Sequence, residues 1–150
     1  SGSLVPTLII NTVDFSNNFT AIQAENVDLQ TAQIRGCNFN ATTGMLTKIP
    51  KQGVFPQNHI RLDNVTAVTL GLGSSAGTNL LNEFSDVYMG IFANESSLEV
   101  FASAFDNLIN YSVSPPQKGI GINAHNSTSN PQILEVDCRF RNLHRGIFTW

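Results

Sequence analysis

One short pattern returns along this chain and restricts the folds that it can adopt. Each copy carries isoleucine at its second position and, two residues later, a small or apolar residue. A spacing of two places both side chains on the same face of a β-strand. The copies are AIQAENV (21–27), HIRLDNV (59–65), GIFANES (90–96), GINAHNS (121–127) and the shorter GIFTW (146–150).

A second motif, centred on phenylalanine, precedes each copy of the first. Two residues after the phenylalanine, most copies carry asparagine or aspartate, which accept a left-handed backbone and bond to their own turn. The motif therefore predicts a buried column of rings followed by a turn. Its copies are VDFSN (13–17), GCNFNA (36–41), NEFSD (82–86), SAFDN (103–107) and CRFRN (138–142).

The repeating unit, where it is uninterrupted, is about 20–25 residues long, a period typical of solenoid proteins. A further apolar strand is predicted at SLEV (97–100) and again at ILEV (133–136). Short strands without helical periodicity argue against leucine-rich and helical repeats. The pattern favours a coil of parallel strands, stacked at about 4.8 Å, around one continuous apolar core.

The rhythm F-x-N…G-I-x-A-x-N-S…L-x-V-x-x-C-x-F resembles the right-handed parallel β-helix family, over nearly the whole chain. It looks like the β-helix repeat region of large secreted bacterial surface proteins, some of them cargo of the type IX secretion pathway. The resemblance implies an all-β solenoid of about five rungs over 4–150, in an extracellular or cell-surface protein. We interpret residues 1–3 as a cloning remnant. Since solenoid ends need caps, we expect further rungs or another chain at the open ends.

Three stretches interrupt the repeat and are predicted to be inserted loops. Proline cannot donate to a strand ladder, and the first and third stretches each contain two prolines. These two loops are expected to enter from the same side of the Gly-Ile strand and to form one wall. The stretches are 42–58, 71–79 and 111–118, and the prolines are Pro50, Pro56, Pro115 and Pro116.

The outward positions of the Gly-Ile strand form two predicted columns. In the family that the chain resembles, this kind of surface is often where polysaccharide lies. Aromatic rings would stack on sugar faces, and amides would meet hydroxyl groups. One column is Gln23, Arg61, Phe92, Asn123 and Phe148, and its neighbour is Glu25, Asp63, Asn94, His125 and Trp150. The predicted ligand-binding residues are Phe92, Asn123, His125, Phe148 and Trp150.

The same columns contain the only candidates for catalysis that the pattern offers, Glu25, Asp63 and Arg61. Two carboxylates about 5 Å apart suit a retaining glycosidase. A site like that of pectate lyases would need several acids for calcium and a lysine or arginine as base. Because acids are few, we favour a surface pair between Arg61 and Asp63 and a solvated Glu25. No catalytic residue is therefore assigned.

The remaining reactive side chains predict no further site. Cys37 and Cys138 share a column about three rungs apart, or about 14 Å, which is too far for a disulfide and predicts two buried thiols. His59 and His144 are placed at strand and turn edges, with no cysteine or acid triad nearby, and no Ser/His/Asp arrangement is predicted. No cysteine and histidine cluster suggests zinc, and no metal or cofactor is expected.

Six Asn-x-Ser/Thr sequons leave two interpretations open. In a eukaryotic secreted protein they would predict glycans. The favoured alternative is asparagine-rich turns, with Asn64 and Asn126 at the same place in the repeat as Asn26. The sequons begin at Asn18, Asn40, Asn64, Asn94, Asn110 and Asn126.

Composition narrows the class of protein. Charged residues are 13% of the chain and the net charge is -3, which argues against nucleic-acid binding. No apolar run approaches the roughly 18 residues that predict a membrane helix. The sequence favours a non-catalytic stalk, adhesin or secretion cargo with a candidate glycan-binding face. The alternatives are a fragment of a polysaccharide lyase or glycoside hydrolase, and a tailspike-like trimer with exposed aromatic contacts.

Overall fold

The computed structural model describes residues 6–16, 18–41, 58–71, 81–110, 115–125, 133–136 and 138–150. Within these ranges the chain forms β-strands and no helix, and so no helix long and apolar enough to cross a membrane. The strands are β1 (Thr7–Asn11), β2 (Asp14–Ser16), β3 (Ile22–Arg35), β4 (Asn38–Asn40), β5 (Asn58–Leu70), β6 (Asn82–Ser85), β7 (Met89–Asn94), β8 (Leu98–Phe101), β9 (Ser103–Asp106), β10 (Ile109–Asn110), β11 (Gln117–Lys118), β12 (Ile120–His125), β13 (Ile133–Val136), β14 (Arg139–Arg141) and β15 (Arg145–Thr149).

Parallel pairing between successive copies of the repeat organises the strands. An eight-stranded sheet follows the order β1-β3-β5-β7-β12-β15, and β8 joins it by pairing with both β5 and β13. A five-stranded sheet follows the order β14-β9-β6-β4-β2. All of these pairs are parallel, whereas β10 and β11 form a separate antiparallel pair. The expected all-β fold with parallel strands is confirmed.

The isoleucine column lies in the predicted register. Ile22 pairs with Ile60, and the column continues through the next three copies of the motif. The three central isoleucines, Ile60, Ile91 and Ile122, are fully buried. Burying such a side chain stabilises a fold by about 1.5–3 kcal/mol, so repetition alone builds a substantial core.

The phenylalanine motif forms one continuous stack of rings. Neighbouring ring centroids are 4.6–5.0 Å apart, and the ring planes differ by only 3–9°. This spacing is close to the distance between paired strands, so each ring packs on the ring of the next copy. The stack runs through Phe15, Phe39, Phe84, Phe105 and Phe140.

At Gly90 and Gly121, the ring stack and the neighbouring backbone leave no room for a side chain. A Cβ atom at Gly90 would lie 2.7 Å from Cδ1 of Phe105 and 2.8 Å from the carbonyl oxygen of Gly121. Gly121 faces the Phe140 ring in the same way, with a Cβ contact of 2.8 Å. A side chain at either position would collide with the core, so the motif keeps glycine there.

The asparagine and aspartate turns also follow the prediction. Asp86, Asn107 and Asn142 have φ angles of 61°, 54° and 55°, in the left-handed region. At the end of the Gly-Ile motif, Asn26 and Asn64 have φ angles of 54° and 53°, and Asn64 Nδ2 donates to Asn26 Oδ1 at 3.0 Å. The stacked-turn role expected for Asn64 is therefore confirmed, while Asn126 lies outside the described residues.

The third strand of the repeat pairs in a register that differs from the one its sequence suggests. The sequence Leu-Glu-Val occurs at 98–100 and again at 134–136, which would align Leu98 with Leu134. In the structure, however, Leu98 pairs with Ile133 and Glu99 pairs with Leu134. Phe105 lies seven residues after Leu98, and Phe140 lies seven residues after Ile133. The pairing of the two phenylalanines is therefore consistent with the pairing of Leu98 with Ile133.

The structure describes only parts of the three predicted loops. Residues 42–57, 72–79 and 111–114 lie outside the described part of the chain. Asn58, expected to end the first loop, is instead the first residue of β5. At the end of the third loop, Pro115 and Pro116 lie in no strand, but β11 pairs with β10. The last two residues of that predicted loop are therefore ordered by a short antiparallel ladder.

Neither cysteine forms a disulfide, as predicted from their separation in the repeat. Cys37 is buried, and its Sγ lies 3.4 Å from the carbonyl oxygen of Arg35. Cys138 is only partly buried, and its Sγ lies 3.5 Å from the carbonyl oxygen of Val100. Full burial was thus correctly predicted for Cys37 and not for Cys138.

Candidate functional site

The outward face of β3, β5, β7, β12 and β15 carries the two predicted columns. Gln23 pairs with Arg61, and the first column continues through Phe92 and Asn123 to Phe148. The second column runs in register from Glu25 through Asp63 and Asn94 to His125. Trp150 follows β15 and extends this column, because its backbone N–H donates to the carbonyl of Ala124 at 3.2 Å. We call this surface the outward face.

Two half-buried phenylalanines on the outward face each carry an arginine. The Cζ atom of Arg61 lies 5.2 Å from the centroid of the Phe92 ring. The Cζ atom of Arg145 lies 4.2 Å from the centroid of the Phe148 ring. Cation–π contacts of this kind contribute about 0.5–1 kcal/mol at exposed sites. Each arginine therefore restricts its phenylalanine and places a hydrogen-bond donor beside an aromatic ring.

Trp150 lies against His125 at the end of the second column. The ring centroids are 4.1 Å apart and the planes are tilted by 32°. The indole Nε1–H donates to Asn123 Oδ1 at 3.3 Å, and the tryptophan is 64% exposed. An indole held by a ring contact and a hydrogen bond keeps its orientation while most of its surface faces solvent.

The two partners of Trp150, His125 and Asn123, are themselves held by neighbouring side chains. His125 Nδ1 lies 2.9 Å from Asn94 Oδ1, which only accepts, so Nδ1–H is the donor of this bond. Asn123 Nδ2 donates to the sulfur of Met89 at 3.3 Å. The predicted ligand-binding residues thus lie together on β7, β12 and β15, and Trp150 directly follows β15.

The candidate catalytic carboxylates are each bound within their own strand. Asp63 Oδ2 accepts from Arg61 Nε at 2.7 Å, so the expected surface pair forms. Glu25 Oε1 accepts from Gln23 Nε2 at 2.6 Å. Glu25 and Asp63 are direct neighbours across β3 and β5, as the repeat predicts. Across the described ranges, no group of three histidine, cysteine, aspartate or glutamate side chains could hold a metal ion.

His59 differs most from its expected position. It was placed at a strand edge, but it is only 1% exposed and lies against the rings of Phe39 and Phe84, at centroid distances of 5.8 and 6.1 Å. It occupies the glycine position of its copy of the motif. This exception to the Gly-Ile pattern was the signal in the sequence that could have identified a buried histidine.

The burial of His59 sets its charge. Its Nε2 lies 2.7 Å from the carbonyl oxygen of Ser85 and therefore carries the proton, while the buried Nδ1 has no hydrogen-bond partner among the residues that the structure describes. Burial lowers the pKa of His59 to about 4, and the bond to Ser85 opposes this shift only in part. The imidazole is therefore neutral near pH 7 and belongs to the core.

A cleft of about 510 Å³ lies where β7, β12 and β15 begin. We call it the amino-end cleft. Sequence reasoning missed it because Gln117 and Lys118 were assigned to an inserted loop and His144 to a turn. Its lining comes from three copies of the repeat and from β11, so no single motif encodes it. The lining residues are Tyr88, Gln117, Lys118, Ile120 and His144.

Comparisons with known proteins were made at three levels. No model of a protein family matches the chain, no curated protein matches it, and no solved structure matches it. The function must therefore be argued from the residues and their geometry.

Proposed function

We propose that this chain is a segment of a right-handed parallel β-helix in a secreted or cell-surface bacterial protein, and that its outward face binds glycan without cleaving it. The parallel pairing of successive copies, in one register for both the isoleucine and phenylalanine columns, supports the β-helix. A rigid, repetitive scaffold of this kind suits a stalk, an adhesin or a secretion cargo.

One observation carries the glycan-binding proposal: three aromatic rings and an amide-rich cluster share a single face. Phe92 and Phe148 lie in one column, separated by Asn123 on β12. Two strand spacings of about 4.8 Å put their backbones about 10 Å apart. Trp150 lies in the adjacent column, with its indole largely exposed. Rings in such an array offer apolar faces to the C–H groups of successive sugars, as rings and polar groups do in other binding sites.

The polar groups beside these rings supply the second half of a sugar-binding surface. Arg61 and Arg145 place guanidinium donors at the two phenylalanines. His125 adds an imidazole ring beside the indole, and the amide of Asn123 adds a further polar group. Sugar hydroxyls both donate and accept, so mixed donors and acceptors around aromatic rings match their chemistry. Because the arginines cover one side of each phenylalanine, Trp150 is the ring with the most surface left for stacking.

The state of the carboxylates favours binding over cleavage. Asp63 is engaged by Arg61, and Glu25 is engaged by Gln23. Each carboxylate thus accepts a hydrogen bond from a side chain two residues away on its own strand, the cationic Arg61 for Asp63 and the neutral amide of Gln23 for Glu25. The register pairing of Glu25 with Asp63 fits the lyase or hydrolase alternative, but both carboxylates are already engaged by neighbouring side chains, so we favour binding.

The test is a binding screen against acidic and neutral polysaccharides that also measures new chain ends. Trp150→Ala should weaken binding to any polysaccharide that the wild-type chain retains, because it removes the exposed ring. Phe19→Ala is the matched control, since Phe19 is 44% exposed and lies outside the two columns. Equal binding by both variants and the wild type would overturn the assignment of this face.

The same screen separates the alternatives. New chain ends that disappear in Asp63→Asn would identify a hydrolase or lyase and contradict the non-catalytic proposal. Absence of binding, together with a mass of three chains in light scattering, would favour the tailspike-like trimer. Binding without cleavage is the outcome that we expect.

A further inference from the structure

We propose that molecules of this chain associate head to tail, with the strands at one end of the stacked sheets pairing with the strands at the other end of a second molecule. We call these ends the first edge, formed by β1, β2 and residues 22–27 of β3, and the last edge, formed by β13, β14 and β15. The contact uses the ends of the sheets, so it does not require the outward face to bind glycan.

Both edges present unpaired backbone. Within the described ranges, β2 pairs only with β4 and β14 pairs only with β9, at opposite ends of the five-stranded sheet. In the part of the larger sheet that the structure describes, β15 pairs only with β12, and residues 22–27 of β3 pair only with β5. A free edge offers N–H and C=O groups to another strand. Because the pairs in these two sheets are parallel, a second molecule can continue both sheets in the same direction.

Exposed apolar side chains are concentrated at the two edges. Among the described residues, the exposed large hydrophobic side chains all lie within residues 6–27 or 138–150. Apolar surface left in this way marks a site of interaction with another protein. These side chains are Ile9, Val13, Phe19, Ile147 and Trp150.

The apolar columns would continue through the contact. Phe15 and Phe140, at the two ends of the ring stack, are half-buried, whereas the three rings between them are at most 1% exposed. Neighbouring rings within the chain are 4.6–5.0 Å apart, close to the spacing of paired strands. A second molecule in the same register places Phe140 on Phe15 and Ile147 on Ile22, and so removes both open ends of the core from water.

The two edges carry opposite charges. Residues 6–27 contain two acidic residues and neither lysine nor arginine, whereas residues 138–150 contain three arginines and no acidic residue. A last edge therefore attracts a first edge, while two edges of the same kind repel each other. The acidic residues are Asp14 and Glu25, and the arginines are Arg139, Arg141 and Arg145.

The register pairs one of these arginines with one of these acids. Asp14 and Arg139 directly precede the phenylalanine of their motifs and lie at the two ends of one column of register partners. Continuing the column into a second molecule brings Arg139 beside Asp14. The fold already contains a pair of this kind, because Arg141 and Asp106 are register partners on β14 and β9 and lie 2.7 Å apart.

A contact between two different edges does not limit the number of molecules. Each molecule that joins leaves one first edge and one last edge free, unless the rotation between molecules closes a ring. The expected product is a series of increasing length. A side-by-side trimer differs from this series, because its mass stops at three chains.

Sedimentation velocity of the full chain over a range of concentrations tests the contact. We expect the average mass to rise with concentration and to pass three chains. Arg139→Asp and Asp14→Arg should each weaken association about tenfold or more, because each places like charges in contact. The two substitutions in one chain should restore association, because they exchange the charges. Glu83→Arg is the matched control, since it reverses an exposed charge in the same column between the two edges and should leave association unchanged.

Recovery in the double variant also excludes misfolding as the cause of the loss in the single variants. A chain that is monomeric at every concentration would overturn the proposal, and so would a mass that stops at three. If Glu83→Arg weakens association as much as Asp14→Arg, or if the double variant does not recover, the register pairing is wrong. A monomer that still binds polysaccharide would reject this contact and retain the proposed function.

Discussion

The imidazole of His59 donates its Nε2–H to the carbonyl of Ser85 at 2.7 Å and lies beside two neighbouring rings of the phenylalanine stack. Its other nitrogen is buried and has no hydrogen-bond partner in the described part of the chain. The other complete copies of the motif carry alanine or glycine at this position, so the bulk and the polarity of this residue are specific to β5. Protonation would put an uncompensated charge into the apolar core, which gives the fold a pH dependence that can be measured.

The first prediction is that the free energy of unfolding decreases as the pH falls from about 6.5 to about 4. The pKa of His59 is about 4 in the folded chain and 6.5 as a model value, so the unfolded state binds more protons within this window. The stability is fully present above the unfolded pKa. About 3 kcal/mol is lost by the time the pH reaches the folded pKa.

Urea unfolding at a series of pH values measures this change. Carboxylates also titrate at the acidic end, so the difference between variants is the decisive quantity. His59→Gly should remove the His59 part of the slope, whereas His144→Gln should retain it because His144 is exposed. A slope that is unchanged in His59→Gly would contradict the assignment.

The second prediction concerns the glycine column. Gly90→Ala should lower the free energy of unfolding by about 1–3 kcal/mol, because the added methyl group would overlap the Phe105 ring and the Gly121 carbonyl. Gly146→Ala is the matched control, since its Cβ would be 3.2 Å from the nearest atom of Phe140. Thermal or urea unfolding of both variants should give the larger loss for Gly90→Ala, and equal losses would count against the close approach.

The third prediction separates backbone strain from hydrogen bonding at Asn64. Asn64→Ala places a Cβ residue without a bonding side chain in the left-handed region, and should cost about 1–2 kcal/mol of stability. Asn64→Gly also loses the bond to Asn26 but adopts the same φ freely, so it should cost less. If urea unfolding finds the glycine variant as unstable as the alanine variant, the left-handed backbone angle is not the main cause of the lost stability.

The fourth prediction compares the centre and the edge of the phenylalanine stack. Phe84→Ala should cost about 3–5 kcal/mol, because Phe84 is 1% exposed and packs on a ring at each side. Phe15→Ala should cost less, since Phe15 is half-buried and contacts the stack through Phe39 alone. Denaturant midpoints would test this order, and a larger loss at Phe15 would contradict the stack as described.

Much of the fold could be predicted from the sequence, because the interactions that produce it are local and repeated. The alternation of side chains along a strand is fixed by backbone geometry, so aligning the isoleucines also aligned the residues between them, including Phe92 with Asn123. Asparagine and aspartate at the turns signalled left-handed φ angles for the same local reason. Because equivalent motifs stack on one another, aligning the motifs in the sequence also predicts the register of their strands.

The sequence by itself thus determined the strands, the apolar columns, the turn residues and the membership of the outward face. Tertiary structure alone decided the burial of His59, the ring contact between His125 and Trp150, the Leu98–Ile133 register and the amino-end cleft. The physical reason is that burial and side-chain contacts depend on residues that are distant in the chain but close together in the fold. Residues as distant in the chain as Tyr88 and His144 meet only because parallel strands bring their amino ends to one edge.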